Sequence, residues 1–112
     1  MGPSPAVVRR LRARNELLFR QVNERIEQIS GEERRAGELI ILCECGHKEC
    51  LEHVEIAPAD YEAVRRAGSH FVLLAGHEDP EMEDVVARHA GYVVVEKRGE
   101  AGELAERHDP RA

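Results

Sequence analysis

The sequence predicts an α+β fold: a long N-terminal amphipathic helix, then a small, mainly antiparallel sheet with one or two short helices. Three observations predict it. Residues 6–29 hold no glycine or proline and space apolar side chains by threes, fours and sevens. The later runs "ELIILCEC", "EHVEIA", "HFVLLAG" and "YVVVEK" are short, aliphatic or β-branched, and bounded by turn residues. All three cysteines lie within "CECGHKEC", residues 43–50, from the end of the first of these runs to just before the second.

In the helix, Val8, Leu11, Leu18, Val22 and Ile29 form a heptad seam with Asn15 at an a-type and Arg25 at a d-type position. The seam fits a short dimer whose register a buried Asn would fix. The favoured reading is instead that Leu17, Leu18, Phe19, Val22 and Ile26 pack on the chain's own sheet, as apolar stripes usually do. This gives an N-terminal arm over residues 1–29. "SGEERRAG", residues 30–37, has glycine near its start and at its end and reads as a polar linker.

The α+β domain is expected over residues 38–97. "ELIILCEC" is a buried strand running into the cysteine loop, and "EHVEIA" is its antiparallel partner. "APADYEAVRRAG" is a short helix with Pro58 in its first turn and Gly68 as its stop. Strands follow at "HFVLLAG" and at Tyr92–Lys97. Between them "EDPEMEDVVARHAG" reads as helix, with Asp79 as N-cap and Pro80 at N1. The alternative is a hairpin arm pairing Val85 and Val86 with Val94 and Val95. Residues 98–112, charged and glycine-bearing, read as a flexible tail.

A chain of 112 residues suits one compact domain. With no Trp, two Tyr and two Phe its core is modest, so a cross-link would matter. No secretion signal or run of eighteen apolar residues is seen, which predicts a soluble, cytoplasmic chain without membrane contact. Its thiols are then reduced, and a cluster of three points to metal or reactivity before disulfides. The formal charge is −6, split into about +3 over residues 1–29 and about −9 beyond, which argues against bulk phosphate binding.

Thiolates are soft ligands, and zinc takes four N or S donors at tetrahedral corners. Cys43 and Cys45, two apart on extended backbone, point to one face, and Gly46 lets the chain fold back so that Cys50 takes a third corner. His47, His53 and His77 compete for the fourth. His47 demands a very tight loop. His53 has acceptable C-x2-H spacing from Cys50 and stays open. His77 is favoured, because it follows a strand and a glycine and would tie distant segments together. Iron in the same ligands is not separable from zinc by sequence.

The segments "NELLFRQVNERI", "CECGHKEC", "YEAVR", "FVLLAGHEDPE" and "YVVVEK" together resemble a group of small bacterial proteins of unassigned activity, typical of high-GC Gram-positive genomes. The likeness covers most of residues 14–97. It implies that Cys43, Cys45, Cys50 and His77 act as a set, whereas His53 departs from the group's pattern.

A closed Cys3His site leaves zinc no open position for water or substrate, so a structural ion and a non-enzymatic protein are expected. Were His77 free, Glu78 or Asp79 would be the base to consider. No P-loop, Rossmann glycine pattern or meaningful Ser-His-Asp order is found. The leading expectation is a zinc-binding interaction or regulatory module whose basic helix meets a protein partner or its own copy. Two alternatives are nucleic-acid binding through Arg9, Arg10, Arg12 and Arg14, and thiol redox sensing with zinc release, aided by Lys48 beside the thiolates.

Overall fold

The computed structural model describes residues 2, 4–33, 37–47 and 49–111. The order is α1 (Pro5–Glu33), β1 (Leu39–Leu42), β2 (His53–Ile56), α2 (Pro58–Val64), β3 (His70–Leu74), β4 (Glu83–His89), β5 (Tyr92–Lys97) and α3 (Gly99–Arg107). The fold is α+β. At 1.5 Å per residue α1 is about 43 Å long, which accounts for most of the 50 Å long axis of the molecule. α1 continues four residues past Ile29, so the linker expected from residue 30 begins as helix. Residues 34–36 lie outside the described residues.

Two antiparallel sheets form the body. β1 pairs with β2, Leu39 opposite Ile56 and Ile41 opposite Val54. Alternation turns these four side chains into the core and leaves Ile40, His53 and Glu55 outside. The second sheet has the order β3-β5-β4. Phe71, Val72 and Leu73 of β3 and Val93, Val94 and Val95 of β5 are buried, joined by Tyr61 and Val64 of α2 and Ala105 of α3. The sheets meet where the Glu44 N–H donates to the Val72 carbonyl at 2.8 Å, so the cysteine loop runs from one sheet onto the edge of the other.

Residues 83–89 are a strand and correct the helical reading. Asp79 does start a turn, its carbonyl accepting the N–H groups of Met82 and Glu83 at 3.0 Å each. The turn stops there because Val85 pairs with Val95 and Ala87 with Val94, a register shift between them leaving Val86 as the extra residue. The flexible-tail reading is corrected too. α3 packs on β5, with Gly102 so close that a Cβ would lie 2.6 Å from the Lys97 carbonyl oxygen.

α1 sits on the body with its polar side inward. Glu16, Arg20, Asn23 and Glu24 are buried, whereas Val8, Leu11, Leu18, Val22 and Ile29 are exposed. Of the residues expected to pack on the sheet, Leu17 and Ile26 reach the core's edge while Leu18 and Val22 do not. The inward charges are all engaged. The Arg20 guanidinium lies 4.6 Å from the Phe71 ring centre and donates to the Gly68 and Ala105 carbonyls. Glu16 and Glu83 share the Lys97 ammonium. Glu24 accepts from Tyr61, Arg65 and Arg111. Removing one member of such a buried set strands the others, which typically costs about 3–5 kcal/mol.

Candidate metal centre

Cys43 and Cys45 leave the end of β1 in extended backbone, so both sulfurs face one way and the Glu44 side chain faces the other. Gly46 then turns at φ +79°. Cys50 returns, its N–H donating to the His47 carbonyl at 3.0 Å, and the Cys43 N–H continues the β1/β2 ladder to the Glu52 carbonyl at 2.8 Å. From the other sheet, Gly76 turns the chain after β3 at φ +94°, and the His77 N–H donates to the Leu74 carbonyl at 3.1 Å. His77 thereby faces the loop across the sheet end.

The four ligand atoms of Cys43, Cys45, Cys50 and His77 lie within 4.8 Å of one another, and the cluster could hold a metal ion. His77 Nδ1 is 3.7 Å from the sulfurs of both Cys43 and Cys50. Bond lengths of about 2.3 Å to S and 2.0–2.1 Å to N around a tetrahedral zinc imply an S···N edge of about 3.6 Å. The donor set and its spacing therefore fit such an ion. Cys43 and Cys45 are fully buried, and Cys50 and His77 are half-buried.

Backbone donors surround the sulfurs. The Leu74 N–H reaches the Cys43 sulfur at 3.2 Å, and the backbones of His47 and Glu52 donate to Cys45 and Cys50. The Cys43 thiol donates to Cys45 and, with help from other donors, brings the Cys45 pKa down to about 4. The same hydrogen bond, together with burial, pushes Cys43 up, and burial pushes Cys50 up. Cys45 is thus the sulfur most readily ionised, and three thiolates packed together would need a positive charge among them.

The other histidines are elsewhere. His53 is exposed because Val54 and Ile56 fill the inner face of β2, and it lines a shallow cleft with His89 and Tyr92. His47 is exposed on the loop. Lys48 lies outside the described residues. Neither carboxylate weighed as a base is free: Glu78 accepts the Gly76 N–H at 2.7 Å and is held below the usual carboxylate range by backbone N–H groups. Asp79 accepts the Glu81 N–H at 3.0 Å and pairs with Arg12 at 2.9 Å.

Several residues support the cluster in roles that the sequence did not point to. Glu44, between Cys43 and Cys45, is buried; its carboxylate accepts the Val72 N–H at 2.9 Å and the Asn23 amide at 2.8 Å, and burial pushes its pKa up. Asn23 also exchanges two hydrogen bonds with the Leu42 backbone at 2.8 Å, acting as an extra ladder partner for β1. Arg12 Nε donates to the Cys45 carbonyl at 2.9 Å while its other arm holds Asp79. Asn15, placed by sequence in a dimer seam, instead donates to the Gly46 carbonyl at 3.2 Å. One helix face thus clamps both halves of the centre. A C-x-C run with a buried acid between its cysteines was the only local signal.

Among the described residues no helix is long and apolar enough to cross a membrane. No protein-family model, curated protein or solved structure matches this chain.

Proposed function

We propose that this chain is a non-catalytic, zinc-stabilised interaction module, in which the ion joins the two sheets and α1 is the surface offered to a partner. The observation that carries this reading is the convergence of three cysteines and one distant histidine within 4.8 Å of one another, a number of donors equal to the four corners a structural zinc takes, which would leave none for substrate. The likeness to the high-GC Gram-positive group agrees with His77 as a member of that set.

The partner surface is supported by the exposed apolar seam of α1. Six of the nine exposed large hydrophobic side chains among the described residues lie on this helix. Binding measurements test the reading. Leu18→Asp is expected to preserve the fold, since the side chain is exposed, and to abolish association. Association that survives it and the matching Val22→Asp removes α1 from the role.

Nucleic-acid binding has less support, because Arg12 is occupied by Cys45 and Asp79, leaving Arg9, Arg10 and Arg14. A redox role rests on the half-buried Cys50 as the thiol an oxidant reaches first. Peroxide would then release zinc with disulfide formation, and retention of the metal excludes this role.

A further inference from the structure

α3 runs beside the N-terminal half of α1, and between them lies an open groove of about 670 Å³. Val7, Leu11, Leu18 and Leu104 line it with apolar surface, and Arg10 and Arg14 stand with them in the wall. Elsewhere the buried cations are spoken for, Arg65 by Glu24 and Asp109 and Lys97 by Glu16 and Glu83. Arg9, Arg10 and Arg14 are exposed and have no ion pair among the described residues. An apolar trough with uncompensated positive charge therefore sits on a chain whose net charge is −6.

We infer that this groove seats an acidic amphipathic helix of a partner protein. The inference rests on the reading of α1 as the partner surface and adds the partner's chemistry. Val7 to Leu18 is a rise of about 16 Å, or about three turns. A partner helix with apolar residues at i, i+3 or i+4, and i+7 matches that length, and carboxylates flanking its stripe meet Arg10 and Arg14. A second copy is disfavoured, since a two-fold pairing of grooves sets the same arginines against one another. A nucleic acid would use the arginines and leave the apolar trough without a role.

The test is selection of 16-residue peptides from a random display library on the intact, zinc-loaded protein, with the Leu18→Asp variant as counter-target. The expected result is enrichment of Asp and Glu flanking apolar residues at helical spacing. Affinity should fall at least about tenfold on Leu18→Asp and on the double change Arg10→Glu, Arg14→Glu, with unchanged circular dichroism, and should weaken with salt. Enrichment of neutral or basic peptides, or of nothing above the counter-target, overturns the inference. Light scattering that finds a dimer dissociated by Leu18→Asp assigns the groove to a second copy; this defeats the acidic partner and leaves α1 as the association surface. Salt-sensitive duplex DNA binding lost on arginine reversal likewise replaces the partner with nucleic acid. Selected peptides indifferent to every change on α1 remove both readings.

Discussion

Replacing Gly46 by alanine probes how closely α1 is pressed onto the cysteine loop. A Cβ there would lie 2.5 Å from Glu16 Cγ, 2.6 Å from the Arg12 carbonyl oxygen and 2.8 Å from Arg12 Cγ. The Arg12 carbonyl is helix backbone and cannot swing aside, so relief requires α1 to move away and stretch the Arg12 and Asn15 hydrogen bonds to the loop. The positive φ of +79° adds a further penalty for any L side chain. That conformation costs about 1–2 kcal/mol, and overpacking typically adds about 1–3 kcal/mol, giving about 2–5 kcal/mol for Gly46→Ala. Gly91→Ala is the control, because Gly91, in the turn between β4 and β5, also has positive φ, +90°, but has nothing within 4 Å of its Cβ position. It should show the conformational cost alone. Urea unfolding followed by circular dichroism, at one fixed free-zinc concentration, measures both. Equal losses in the two variants would refute the close docking of helix on loop.

Zinc titrations should show His77→Ala losing more affinity than the 10–100-fold typical of a lost supporting hydrogen bond, while His53→Ala and His47→Ala keep wild-type affinity; a large loss in His53→Ala contradicts the ligand set. Glu44→Ala leaves the buried Val72 N–H without its partner and should cost about 1–3 kcal/mol in urea unfolding, whereas an unchanged midpoint would deny the carboxylate its bridging role. Burial pushes the Glu16 carboxyl up from 4.5 to about 7 despite the opposing pull of Lys97. Between those values the folded state keeps a proton that the unfolded chain has released, so this group's contribution falls as pH rises across the window, by about 3 kcal/mol at most. Glu16→Gln has no such proton, so its stability relative to wild type should improve from pH 4.5 to pH 7.5, and a pH-independent difference would contradict the buried titration.

The clustering of Cys43, Cys45, Cys50 and His77 was legible because metal chemistry imposes local spacing: C-x-C on a strand, a glycine turn, and a histidine just past a strand and a glycine. Their support was not. Arg12, Asn15 and Asn23 act through carbonyls and carboxylates far along the chain, and no local pattern marks an asparagine that completes a β-ladder. The spacing of Val8, Leu11, Leu18, Val22 and Ile29 identified the helix and its apolar seam correctly. Which face would be buried depended on Lys97, Arg65 and Arg111 meeting Glu16 and Glu24, pairings invisible in periodicity. β4 was misread because the Asp-Pro start is helical for one turn and adjacent Val85 and Val86 mask the alternation that a bulge interrupts. In α3, Gly99 and Gly102 disguised a helix whose close contact with the Lys97 backbone requires the second glycine.

Elemental analysis of the purified protein, paired with thermal unfolding before and after chelation, tests the central claim most directly. One zinc per chain is predicted, with a marked fall in the unfolding temperature once it is stripped, since an ion bound only by the folded state stabilises by mass action. A metal-free native protein that unfolds at the same temperature with and without chelator would contradict the account.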